Sequence, residues 1–250
     1  MLKNMTAREA QRTLKKLAIS KKRAKFLAGF FKTGKGQYAE GDIFFGVTVP
    51  QTRRVASQFN DLSLSEIRKL LNSKVHEVRL MALLILVHQF QQGSAVARAR
   101  IAKFYLKNTT HVNNWDLVDL SADKILGEWL HSHILKNVRM KVLVQLARSK
   151  NLWERRIAMI STYAFIKCGE CVEALKIAKI LLNDQQDLIH KAVGWMLREV
   201  GKRCSRAQEE KFLKKHCRSM PRTMLRYALE HFPLEFKEKY LKVLTNSGIS

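Results

Sequence analysis

This sequence predicts an all-α fold built from stacked helical repeats, and three observations carry that reading. Punctuation is sparse, with three prolines and eleven glycines in 250 residues. Apolar residues recur at helical spacing, and long runs alternating with period two are absent. Stretches in which a basic residue leads into small and apolar ones return at steps of 35–40 residues, with Arg79, Asp119, Arg156, Lys191 and Arg226 as markers. That period is near the two-helix HEAT or armadillo unit, which stacks into a curved solenoid with a concave face. With 46% apolar residues the chain can bury a sizeable core. The expected organisation is one all-helical domain over residues 1–250, with 1–45 a basic N-terminal helical arm and 46–250 the HEAT-like repeats.

Residues 1–35 hold eleven Lys/Arg and one acid, and KKRAK (21–25) lies inside a helix-like pattern. It is either a solvated helix face or a phosphate-facing arm. GKGQYAEGD (34–42) is glycine-rich but lacks the GxxxxGK[ST] spacing of a phosphate loop, so it reads as a connector. GVTVPQTRRVA (46–56) enters a helix with Pro50 near its first turn, followed at once by Arg53 and Arg54. In 73–90, Val75, Val78, Ala82 and Ile85 form one stripe, and Asn72 or Ser73 is placed to cap it. Leu152, Ile157, Ile160 and Ala164 make 149–167 a helix; Ile189, Val193, Met196 and Val200 do the same for 187–204. In 219–233, Ser219 is placed to cap, Pro221 fits the first turn, and Leu225, Ala228 and Leu229 face inward.

Forty-six Lys+Arg against 21 Asp+Glu leave a formal charge of +25. A surplus of that size calls for a polyanionic partner, nucleic acid first and anionic lipid as competitor. No apolar run is long enough to span a membrane, and the N-terminus lacks the apolar core of a secretory signal. The expected setting is cytoplasmic, at the nucleoid. Of the four cysteines, Cys168-Gly-Glu-Cys171 has no βαβ context and no second CxxC, so Cys168, Cys171, Cys204 and Cys217 read as reduced thiols. His131-Ser-His133 reads as a solvated surface pair, and no metal site is expected.

Four tryptophans remain. Trp129 and Trp153 read as core. Trp115 starts a helix beside Asn113, Asn114 and Asp116, with Asp119 one turn further on the same face. Trp195 lies between Lys191 and Arg198. Indoles among polar and basic neighbours can offer a face to a base, a sugar or a cation, although periodicity alone also allows both to be core. Asp119 has a structural alternative too, as an ion-pair partner of Arg156 on the next repeat.

GVTVPQTRR (46–54), NNWDLVD (113–119), NLWERRIA (151–158), HKAVGWMLRE (190–199) and MPRTMLRYALEHFP (220–233) resemble the AlkD-like DNA alkylation repair glycosylases, from about residue 25 to the C-terminus. The resemblance implies a HEAT-like solenoid with a basic concave face cradling double-stranded DNA that contains alkylated bases, acting as a monomer. It implies an alkylpurine glycosylase that releases cationic N3- or N7-alkylated purines and leaves an abasic site, with no cofactor. By position, Asp119 matches the catalytic carboxylate, Trp115 and Trp195 the aromatic walls at the lesion, and Arg156 an arginine near the DNA backbone. Arg53, Lys150, Lys191 and Arg198 are further expected phosphate contacts. Asn114 departs from the pattern, since relatives often carry a tryptophan there. The alternative is a non-catalytic HEAT-like protein recognising damaged or branched DNA; a protein-interaction scaffold would not need this charge.

Overall fold

The computed structural model describes residues 5–18 and 20–245, with side chains described as far as Tyr240. Residues 1–4 and Ile19 of the expected arm, and 246–250 of the expected repeat region, lie outside the described residues. The described chain is helical, and its one β-bridge joins Ile43 to Val75. It divides into two compact units, residues 1–126 and 127–250.

The first unit holds α1 (Ala7–Lys15), α2 (Lys21–Ala28), α3 (Val49–Ala56), α4 (Leu64–Leu71), α5 (His76–Gln92), α6 (Ala95–Lys107) and α7 (Trp115–Ala122). Thr6 and Glu9 close a capping box on α1 with two 3.2 Å bonds, and Ala7, Ala10 and Leu14 face α3 and α4. Thr48 and Gln51 occupy the corresponding positions of α3, where the Thr48 amide donates to Gln51 Oε1 at 3.0 Å. The expected stripe of 73–90 is buried, but α5 is buried almost all round, including His76, Glu77 and Arg79. Such a helix is central to its unit, with α3, α4, α6 and α7 packed on it. Its cap also differs from expectation: Val75 occupies the cap position, and the Ser73 hydroxyl instead accepts from the Val75 amide at 3.1 Å.

Glu77 explains how the glycine-rich connector is held. Its buried carboxylate accepts from the amides of Phe45 (3.0 Å), Gly46 (2.8 Å) and Val47 (3.3 Å). Gly46 sits at φ +81°, and a Cβ there would meet the Ala24 backbone nitrogen at 2.8 Å. The backbone of α2 therefore rests on a glycine pinned by Glu77, and α2 buries no side chain.

The second unit holds α8 (Glu128–His133), α9 (Lys136–Ala147), α10 (Leu152–Ser161), α11 (Tyr163–Lys167), α12 (Val172–Ile180), α13 (Asp187–Arg203), α14 (Arg206–His216), α15 (Arg222–Ala228) and α16 (Leu234–Thr245). Its packing runs from α9 to α10, from α10 to α13, and from α13 to α14 and α15. The repeat markers fall on α5, α7, α10, α13 and α15, separated by intervening helices, as a helical repeat fold requires.

Three local expectations are corrected here. The helix of 149–167 breaks at Thr162, whose amide pairs with Met159 three residues back (3.1 Å) and whose hydroxyl donates to the same carbonyl at 2.6 Å. Ser219 bonds back to the His216 carbonyl at 3.0 Å, leaving Pro221 as the N-cap of α15. His131 is half-buried, with Nε2 3.2 Å from Glu170 and its ring edge-on to Phe165, while His133 is exposed.

Glu209 is fully buried against Gly201 and 3.2 Å from His231 Nε2. Burial pushes its carboxyl up to about 9, only partly offset by Arg206. Its folded value exceeds the ordinary 4.5, so its contribution is complete below pH 4.5 and is lost as pH rises through about 9. Glu209→Gln is expected to flatten the fall in melting temperature between pH 6 and 9, measured by thermal denaturation across that range.

Candidate active site

Trp115 opens α7, and its amide donates to the Asn114 side-chain oxygen at 2.8 Å. Asn114 is fully buried, and its Nδ2 has no hydrogen-bond partner. In this chain the position that departs from the family pattern is thus filled by a helix cap. Trp115 and Asp119 are both half-buried and one turn apart. Beneath them α7 is tied to α6 by the buried Tyr105 hydroxyl, 3.0 Å from Ser121 Oγ, which donates to the Leu117 carbonyl at 2.6 Å. Burial, with the charges of Asp123 and Asp119, pushes the Tyr105 phenol upward and outweighs its Ser121 bond.

Sequence reasoning missed what surrounds Trp115. Phe31 stacks on the indole with centroids 5.5 Å apart and planes inclined by 27°. Phe31 also stacks on Phe44 at 5.2 Å, and both rings lie against the His76 imidazole, at 4.7 and 5.0 Å. His76 Nε2 is 2.7 Å from Asp116, the residue after Trp115. On its other side Nδ1 faces Asp42 at 3.6 Å, an ion-pair distance too long for a hydrogen bond. Asp42 in turn takes both its oxygens to Arg79 Nη2, at 2.7 and 2.8 Å. Only the His-Glu start of α5 hinted at this, because the partners come from four separated stretches.

Burial pushes the His76 imidazole down, but the bond to Asp116 and the attraction of both aspartates outweigh it and raise its pKa to about 9, against the opposing charge of Arg79. The folded value lies above the ordinary 6.5, so this stabilisation is complete below pH 6.5 and is lost as pH rises through about 9. The gain is about 3 kcal/mol at most. Melting curves at pH 6 and 9.5 should lie closer together in His76→Gln than in the parent; a separation equal to the parent's would mean that His76 is neutral in the fold.

In the second unit Trp195 is half-buried on α13, 6.4 Å from the Tyr163 ring. Lys167 Nζ and Arg203 Cζ lie over that ring at 5.2 and 5.7 Å. Gly194 precedes Trp195 because a Cβ there would run into the Met224 carbonyl and Tyr227 of α15. Arg156 is buried and donates Nη1 to the Leu188 carbonyl. Lys191 pairs with Asp187 at 2.7 Å, and Arg198 with Glu199 at 3.2 Å and with Glu230. Arg53 and Lys150 are exposed. Trp129 and Trp153 are core.

Cys168 is exposed, Cys171 and Cys204 half-buried and Cys217 buried, all four free thiols. Among the described residues no group of three His, Cys, Asp or Glu is arranged to hold a metal ion, and no helix is long and apolar enough to cross a membrane.

The family described as DNA alkylation repair enzyme matches residues 10–232. A predicted DNA alkylation repair enzyme from Enterococcus faecalis is 16% identical, with a TM-score of 0.66 over 86% of this chain and 97% of its own. At that identity the likeness is one of fold. The smu.31 protein of Streptococcus mutans UA159 aligns at 17% identity over 97% of each chain, with a TM-score of 0.46. Among curated proteins none matches the chain.

Proposed function

Because the chain belongs to the DNA alkylation repair enzyme family, we propose that it is a monofunctional glycosylase that hydrolyses the N-glycosidic bond of cationic N3- or N7-alkylated purines in duplex DNA and leaves an abasic site. The observation that carries this reading is the pair on α7, a half-buried carboxylate one turn from a half-buried indole braced by other rings.

Alkylation of a ring nitrogen makes the base cationic, and a cationic base leaves easily. As the bond lengthens, positive charge develops on the sugar, as in glycoside hydrolysis. Asp119 is proposed to stabilise that charge and orient the attacking water. Trp115, covered on one side by Phe31, offers its remaining surface to the sugar and the base. Trp195 is proposed as the second aromatic wall.

A basic DNA-binding face supplies the affinity in this reading. Arg53 and Lys150 have exposed side chains suited to phosphates. Lys191 and Arg198 would exchange carboxylate partners for phosphate. Arg156, buried on the Leu188 carbonyl, is proposed to act at the backbone nearest the lesion. Each phosphate contact removed should lower the log–log salt slope by about 0.9.

The test is incubation with duplex DNA containing 7-methylguanine, followed by hot alkali to reveal abasic sites. Strand breaks that require Asp119 support the glycosylase. Tight binding without breaks supports a non-catalytic protein that recognises damaged or branched DNA.

A further inference from the structure

The second helix of the first unit is built unlike its neighbours. No side chain of α2 is fully buried, and the Ala24 backbone comes close to Gly46. Two large rings stay in solvent: Phe26 is 68% exposed and Phe30 63%. They meet edge to face with centroids 5.5 Å apart and planes inclined by 88°, a pairing that makes an apolar corner in which one ring presents its face and the other its edge. Three exposed lysines complete the surface. At helical spacing Lys21, Lys25, Lys22 and Phe26 follow one another around less than half of the circumference, with Phe30 one turn beyond Phe26. Arg23 and Leu27 lie on the opposite, half-buried side. The next residue after Phe30 is Phe31, whose ring stacks on Trp115.

An exposed apolar corner beside a row of cations marks a binding surface rather than a solvated face. A solvated face would keep the lysines and dispense with the rings. Nucleic acid strands combine a flat apolar face with a phosphate string, the two features this arc complements.

We propose that α2 and the turn after it are a second DNA contact, in which one ring of the Phe26–Phe30 pair stacks on an unpaired base and the other closes against its edge, while Lys21, Lys22 and Lys25 hold the phosphates of the same strand. The proposal rests on the reading of the chain as a DNA-handling protein but not on catalysis by Asp119. A lesion or mismatch that loosens pairing supplies such a base, and the chain continuity from Phe30 to Phe31 places the corner next to the ring that braces Trp115.

The test measures affinity of the full chain for a fully paired duplex and for the same duplex carrying one bulged nucleotide, by fluorescence anisotropy. Parental protein should prefer the bulged duplex. F26A/F30A should lose on the order of tenfold or more on the bulged duplex and stay within about twofold on the paired one. K21Q/K22Q/K25Q should weaken both and lower the log–log salt slope by about 2.7 units. These side chains are exposed, so the variants should keep the parental melting temperature. A 5-iodouracil placed at the bulge should crosslink to α2.

Equal affinity of the parent for both duplexes, or an F26A/F30A variant indistinguishable from it, overturns the proposal. So does loss of binding to phosphatidylglycerol vesicles in F26A/F30A with DNA binding intact, which would assign the face to a lipid surface. Failure of the parent to excise 7-methylguanine would sink the glycosylase reading and leave this comparison unaffected.

Discussion

Asp119→Asn should bind methylated duplex with parental affinity and excise 7-methylguanine at least about 100-fold more slowly. The substitution keeps the shape of the side chain but removes the charge proposed to stabilise the developing sugar cation, and losing one aligned electrostatic partner commonly costs about 10²–10³ in rate. Binding is expected to survive because the proposed phosphate contacts are made by cations elsewhere. Single-turnover excision, combined with anisotropy on the same oligonucleotide, separates the two quantities. A parental rate in Asp119→Asn would remove the carboxylate from the mechanism. Trp115→Ala should slow excision while leaving paired-duplex affinity nearly unchanged, since the indole is proposed to serve the lesion rather than the backbone.

The second large effect is one of stability. Glu77→Ala should destabilise the first unit by about 3–5 kcal/mol, read from the urea midpoint. The carboxylate accepts from three amides of the connector, and without it three donors in a largely buried turn lose their acceptor. Glu77→Gln keeps one oxygen in place and should cost about 1–2 kcal/mol. Gly46 is held by one of those bonds and supports α2 directly. Glu77→Ala is therefore expected to loosen α2 as well, visible as faster amide hydrogen exchange in residues 21–28. Parental exchange there would mean that α2 does not depend on the clamp.

These two residues show what was legible in the sequence. The placing of Asp119 one turn from Trp115 was legible because the relation is local: their spacing on a helix is visible in five letters. The helices of α5 and α13 were legible for the same reason, since apolar period is a property of contiguous residues. Glu77 was not legible. Its partners lie about 30 residues earlier, in a segment whose glycines suggested a connector and nothing more. The His76 cluster was hidden in the same way, because Asp42, Phe31, Phe44 and Asp116 converge only after α5 and α7 have packed. The break at Thr162 and the cap at Pro221 were missed for a smaller reason. There, hydroxyls bonded to nearby carbonyls instead of to the amides that the pattern favours.

A helix that leans on its neighbours through main-chain atoms and one half-buried side leaves the vocabulary of its outer arc unconstrained by folding. The letters at Lys21, Lys22, Lys25, Phe26 and Phe30 can be rewritten without disturbing the interior, so drift at those five positions is expected to change how related chains grip nucleic acid. A library randomised at Lys21, Lys22, Lys25, Phe26 and Phe30 should consequently yield mostly folded proteins that differ in what they grip.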